Sequence, residues 1–184
     1  KDRTTFYDVI VIKYTNGSGY AAQVGETVDT SITPLDKISL AVNNAGEIFI
    51  GYTYTPTSIK IRKYAPASGL WVDITADLLN STSYTDFLDI DVDNSGKPVV
   101  AFKDALRAGK AVVKRYNGEW FTVGSGADSA VCSSSSGQTD YIDLKISGDS
   151  IFLAFVESGT TNKPNVMQYT VSGWSRIGGT EAYN

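Results

Sequence analysis

Residues 35–52, LDKISLAVNNAGEIFIGY, have a counterpart in residues 86–102, DFLDIDVDNSGKPVVAF, and a second in residues 140–155, DYIDLKISGDSIFLAF. Each stretch opens with apolar residues alternating with others (ISLAV, LDIDV, IDLKI), as a strand with two unlike faces does. Each then passes through NNAG, DNSG or SGDS, the Asn/Asp/Ser/Gly chemistry of a tight turn. A second run follows (IFIGY, PVVAF, IFLAF) that is apolar nearly throughout, as expected of a strand covered on both faces. The unit is therefore a hairpin whose second strand is the more deeply buried.

The self-similarity continues downstream of each hairpin. A third run ends in Tyr64, Tyr116 and Tyr169, and a fourth carries Trp71, Trp120 and Trp174. Between them lie PASG, NG and VSG, again hairpin turns. The start of the chain holds half a unit, YDVIVIKY ending at Tyr14 and then NGSGYAAQVG. Gly46 and Gly96 fix a period of 50 residues. Four antiparallel strands in that length, repeated, predict the blades of an all-β β-propeller. A parallel β-helix needs shorter coils, and a leucine-rich repeat needs a leucine frame that is missing. A β-sandwich does not account for the recurring tyrosines and tryptophans.

The expected organisation is a half blade over residues 1–30, then blades over approximately 31–80, 81–134 and 135–184, in one propeller domain or a fragment of one. A half blade leaves open sheet edges, which proteins normally cover. The expectation is part of a larger ring, or a ring completed by another chain. The chain starts at Lys1 with neither Met nor a signal peptide, as a processed protein or a piece of a longer one would.

The units, of the form xNxxGxxxxAF…(K/R)Y…GxWxxVG, resemble the blade repeats of secreted bacterial β-propeller proteins. They are kelch-like in size but lack the paired glycines and the Tyr/Trp spacing of true kelch repeats. The resemblance covers essentially the whole chain. It implies a scaffold used for adhesion, carbohydrate binding or surface assembly, at an extracellular or cell-surface location, and it implies no reaction. The absence of a WD dipeptide frame and of S-x-D-x-G-x-x-W Asp boxes disfavours WD40 and sialidase-type propellers.

Composition narrows the chemistry. Twenty Asp and Glu against 16 Lys and Arg give a net charge of -4. That balance argues against nucleic acid or an anionic membrane as partner, since both attract a basic surface. No apolar run reaches the roughly 18 residues of a spanning helix, so membrane insertion is not expected. The sequence has no histidine, which removes His-based acid–base catalysis and the commonest zinc ligand. Cys132 has no partner for a disulfide and no histidine as a base, and reads as a loop thiol.

In a propeller the fourth-to-first and second-to-third connections share one face, and loops on a rigid scaffold are where ligands bind. There Tyr54, Tyr84, Asp104, Arg107 and Glu157 are the side chains best able to take a ligand. The tryptophans follow a glycine turn at nearly one place in each outer strand, which reads as inter-blade packing rather than as sugar platforms. Asp36, Asp86 and Asp140 recur two residues before the first apolar residue of each inner strand. A ring of them at the channel mouth could hold calcium through oxygen ligands. The simpler reading is that each accepts backbone N–H bonds and fixes its own turn. The row Asp89, Asp91 and Asp93 departs from an EF-hand loop, because its glycine comes two residues late and no Glu closes it. Its sister positions are Ser39, Ala41 and Asn43, and Asp143, Lys145 and Ser147, so the row is expected to line the channel side of one inner strand.

The expected function is a non-catalytic extracellular module for binding or adhesion, with a carbohydrate or a protein surface as partner. Apart from calcium, no cofactor is expected. The alternative is a self-assembling structural component whose open blade edges are completed by neighbouring chains. A glycoside hydrolase using Asp104 and Glu157 is a third reading, and needs two carboxyl groups roughly 5–10 Å apart across a cleft.

Overall fold

A computed structural model describes residues 7–17, 21–32, 37–55, 58–75, 85–124, 131, 137–158 and 163–178. The opening half unit forms β1 (Tyr7–Val9) paired with β4 (Asp29–Ile32), and β2 (Ile12–Tyr14) paired with β3 (Ala21–Gln23). Val24 N–H to Val11 O and Val28 N–H to Val9 O, both 2.8 Å, join these into one long hairpin. Three four-stranded antiparallel sheets follow, each in chain order. The first is β5 (Ile38–Val42), β6 (Ile48–Thr55), β7 (Ser58–Ala65) and β8 (Leu70–Asp73). The second is β9 (Thr85–Val92), β10 (Pro98–Asp104), β11 (Lys110–Tyr116) and β12 (Trp120–Thr122). The third is β13 (Gln138–Ser147), β14 (Ser150–Ser158), β15 (Lys163–Thr170) and β16 (Gly173–Arg176). The protein is an all-β partial propeller, with three complete blades and the outer half of a fourth.

The turns explain why the hairpins close where they do. Asn43 Oδ1 accepts the N–H groups of Ala45 and Glu47 at 3.0 and 2.9 Å. Asp93 Oδ1 accepts those of Ser95 and Lys97 at 2.8 and 2.9 Å. Each of these side chains mimics a backbone turn, and Gly96 completes its turn at φ +74°, a conformation that costs glycine little.

The core lies between blades. Ala41, Phe49, Ile59 and Ile61 meet Leu88, Ile90, Val100 and Phe102 at the first seam. Val99, Ala101, Ala111 and Val113 meet Leu144, Ile151, Leu153 and Phe155 at the second. Successive residues of β10 thus face different blades, which is why its run is apolar throughout. The opening hairpin buries Val9, Val11 and Val28 against Ile50, Tyr52 and Trp71. Asp29 pins it further, accepting from Tyr52 Oη at 2.8 Å and from the Lys60 ammonium at 3.0 Å.

Each tryptophan anchors its blade to the one before. Trp71 Nε1–H donates to Glu26 O at 3.2 Å, Trp120 to Ile74 O at 2.6 Å, and Trp174 to Val123 O at 3.0 Å. Each indole also tilts against its blade's tyrosine, with centroids 5.2, 5.1 and 5.3 Å apart. The packing role expected of these residues is the one they have.

The acidic row requires a correction. Asp89 Oδ1 accepts from Ser39 Oγ at 2.6 Å and Asp89 Oδ2 from Leu144 N–H at 2.7 Å. Asp91 Oδ2 accepts Ile146 N–H at 2.8 Å and lies 2.9 Å from the Lys145 ammonium. These two carboxylates bridge neighbouring inner strands, because the outer N–H groups of an inner strand have no ladder partner and a side-chain oxygen supplies one. Asp93 does not belong with them: it builds its turn and lies 3.3 Å from Arg115 Nε.

Candidate functional site

Two inner strands begin with a bulge. In β9, Phe102 faces Leu88 and Lys103 faces Asp86, so Phe87 is extra. In β13 the register likewise shifts between Asp140 and Asp143, around Tyr141. Phe87 and Tyr141 accordingly sit at φ 50° and 53°. A bulge of this type normally has glycine at that position, and the left-handed conformation costs another residue about 1–2 kcal/mol. The bulges turn both side chains toward one another, with ring centroids 5.4 Å apart and a tilt of 49°. Lys37 occupies the same repeat position in the preceding blade, and its ammonium lies 5.2 Å from the Phe87 centroid. Lys103 lies 5.7 Å from that centroid and bonds Asp140 Oδ1 at 2.7 Å.

The result is a row across three successive blades, Lys37, Phe87 and Tyr141, with the Lys103–Asp140 pair beside it. Burial pushes the Asp140 pKa up, but hydrogen bonds to Lys103 and Ser158 outweigh it and hold the carboxyl below its ordinary range. Asp140 therefore stays ionised at neutral pH, and the pair offers donors on Lys103 and acceptors on Asp140. An apolar ring with adjacent donors and acceptors matches a sugar, whose C–H face stacks while its hydroxyls bond.

Other sequence-based candidates are engaged in building the fold. Tyr54, Asp104 and Glu157 lie in β6, β10 and β14 rather than in connections, because strand pairing runs further than the apolar pattern suggested. The Lys60 ammonium caps the Tyr54 ring at 3.5 Å. Asp104 accepts from Leu106 N–H at 3.0 Å, capping a short 3-10 turn over Ala105–Arg107, and pairs with Arg107. Glu157 folds inward against Gly137, where any Cβ would overlap it. Asp104 and Glu157 are only 3% and 5% exposed. Residues 29–32 extend the outer strand of the opening hairpin as β4.

Of the calcium candidates, Asp140 has an ammonium where a cation would have to sit. Asp86 lies opposite Lys103 in β9, and its side chain lies outside the described residues, as do Asp36, Tyr84 and Cys132. Among the described residues no three metal-type side chains come together.

On the face formed by the strand turns, a cleft of about 340 Å³ lies between Asn43, Glu47, Asp93, Asn94 and Ser95. Its polar groups serve the fold. Asn43 Nδ2–H donates to Glu47 Oε2 at 2.6 Å and to Gly96 O at 3.1 Å, and Glu47 also pairs with Lys63. The Phe87–Tyr141 row is the better candidate, and nothing in the sequence reading had singled it out. The available signal was a break in alternation, two adjacent apolar residues in DFLDI and DYIDL where one was due.

No protein-family model matches the chain, and no curated protein matches it. Among solved structures, an α-L-arabinofuranosidase of Fusarium graminearum, in complex with an iminosugar inhibitor, is 12% identical with a TM-score of 0.55, over 98% of this chain and 55% of that one. A Hadza microbial sialidase is 12% identical with a TM-score of 0.50, over 78% of this chain and 33% of that one. A fucose lectin from Kordia zhangzhouensis, in complex with methyl-fucoside, is 15% identical with a TM-score of 0.46, over 79% of this chain and 100% of that one. The chain thus spans about half of the arabinofuranosidase and a third of the sialidase. The likeness is one of fold.

Proposed function

We propose that the chain is a non-catalytic carbohydrate-binding propeller module of the extracellular space or cell surface, and that Phe87 and Tyr141 are its sugar platform. The observation that carries this reading is Tyr141 itself, 73% exposed yet held at φ 53°. An exposed aromatic gains little from burial, so its strain of about 1–2 kcal/mol is offset only in part, by the contact with Phe87. The Lys103–Asp140 pair beside it supplies hydroxyl partners. The arabinofuranosidase and the sialidase have sugar-directed names, which supports the scaffold as compatible with such a ligand. Burial of Asp104 and Glu157 speaks against the hydrolase reading that rested on them.

The test is a glycan array followed by calorimetric titration of the best neutral glycan. Tyr141→Ala is expected to weaken binding about tenfold, the equivalent of ~1.4 kcal/mol of lost stacking. Tyr141→Phe is expected to keep it. A wild-type chain that binds no glycan, or a Tyr141→Ala variant that binds equally well, overturns the reading.

A further inference from the structure

We infer that the inner half of the first complete blade is a docking surface for a two-stranded β-hairpin of this chain's own repeat type. The repeat provides the comparison. Ile38, Leu40 and Val42 occupy the positions of Leu88, Ile90 and Val92 in the next blade and of Ile142, Leu144 and Ile146 in the last. Leu88, Ile90 and Leu144 are 6%, 4% and 3% exposed, whereas Ile38, Leu40 and Val42 are 52%, 50% and 52% exposed. The covered residues lie under the first two strands of the preceding blade: Ala41 and Phe49 over Leu88 and Ile90, Val99 and Ala101 over Leu144.

Among the described residues, the opening hairpin supplies the third and fourth strands of such a blade. It leaves a groove of about 250 Å³ lined by Ile10, Ile12, Ile38, Leu40 and Ile50, continuous with its own packed interface. The gap is two strands wide. A complete blade of a second copy would collide with the opening hairpin, whereas a separate hairpin fits beside it. The hairpin's second strand would extend the sheet along residues 7–14, which pair on their other side with residues 21–32.

Backbone polarity specifies the occupant further. Asn43 N–H bonds Glu47 O and Thr53 N–H bonds Lys37 O, so the ladder to β6 uses the odd-numbered residues of β5. The N–H groups of Leu40 and Val42 therefore point away from it. Their counterparts at Ile90, Leu144 and Ile146 bond Ser39 Oγ, Asp89 and Asp91. The incoming inner strand should carry Asp or Ser at alternate positions, with apolar residues on its second strand facing β5 and β6.

The chain contains a hairpin of this description, residues 85–104. A second copy of it, fused ahead of Lys1 through a Gly/Ser linker, tests the proposal by hydrogen exchange on the full chain. Exchange at Leu40 and Val42 is expected to slow at least about tenfold. Asp89→Ala with Asp91→Ala in the added copy should remove most of that protection, and Leu40→Asp in the host should remove all of it. Unchanged exchange in the fusion overturns the proposal. So does protection of the unfused chain that rises with its concentration, since the occupant would then be a second copy.

Discussion

At the seam between the first two complete blades, the inner strand β9 meets Ser39, a neutral hydroxyl that lies 3.3 Å from Ile90 N and itself donates to Asp89 Oδ1 at 2.6 Å, and Ala41, which offers no side-chain oxygen. At the next seam β13 meets two carboxylates, Asp89 and Asp91, at 2.7 and 2.8 Å from Leu144 N and Ile146 N. The outer anchors are alike: Trp120 bonds Ile74 O and Trp174 bonds Val123 O. The difference reflects what each contact needs. An indole anchor must fit a fixed carbonyl and a fixed tyrosine, so its identity recurs. An edge N–H donates to any nearby oxygen, so the inner position can vary, and a charged acceptor forms a bond roughly twice as strong as a neutral one.

The largest expected effect tests the shared anchor. Trp120→Ala should destabilise the chain by ~3–5 kcal/mol, the range for deleting a buried aromatic. Trp174→Ala should cost less, because that ring is only partly buried against its seam. Urea unfolding of the two variants measures the difference. Equal losses would mean that the anchors do not depend on burial.

The inner contacts come next. Asp89→Ala leaves both Leu144 N–H and the Ser39 hydroxyl without their acceptor and should cost ~1–3 kcal/mol, whereas Ser39→Ala removes one donor to Asp89 and leaves Ile90 N–H still bonded to that carboxylate, and should cost ~0.5–1.5 kcal/mol. The same unfolding experiment ranks them. If Ser39→Ala proves as costly as Asp89→Ala, the charged seam has no energetic distinction.

The two seams also show how far a sequence can be read. The strands, their turns and the tryptophan packing follow from alternation, Asx chemistry and a 50-residue register, all local or periodic. The partners of Asp89 and Asp91 lie 55 residues away in chain, on backbone N–H groups that no residue type advertises. The acidic row therefore reads in the sequence as the channel side of one inner strand. Asp104 and Glu157 misled for a related reason: polar residues beyond an apolar run suggest a loop, but here the ladder extends through them and turns them inward. Phe87 and Tyr141 were hidden because left-handed backbone is usually signalled by glycine, and neither is glycine.

That conformation separates the blades again, with a smaller effect. Tyr141→Gly relieves the positive φ and exposes little new apolar surface, so stability should stay level or rise by up to ~1 kcal/mol. Phe87→Gly relieves the same strain but loses a half-buried ring that packs against Tyr141 and faces two ammonium groups. It should be the less stable of the two variants by thermal unfolding. The opposite order would show that Tyr141 is held by packing, and would take away the argument for a ligand.

The smallest effect concerns charge at the second seam. Burial, and then repulsion from Asp89, raise the Asp143 pKa above its ordinary value of 3.8. A carboxyl that ionises less readily in the folded state costs stability at pH values above its folded pKa. That cost disappears as the pH falls through the folded value toward 3.8. Asp140 behaves in the opposite sense. Burial raises its pKa, the Lys103 and Ser158 bonds more than compensate, and its stabilising contribution persists down to about its unfolded value, then fades as pH falls through the lower folded one. At pH 7, Asp143→Asn should therefore raise the thermal midpoint and Asp140→Asn should lower it, each by less than ~1 kcal/mol after solvent screening. In acid the two differences from wild type should shrink in sequence, Asp143→Asn first. A midpoint for Asp143→Asn below wild type at pH 7 would mean that Asp143 serves the seam as an acceptor, as Asp89 does.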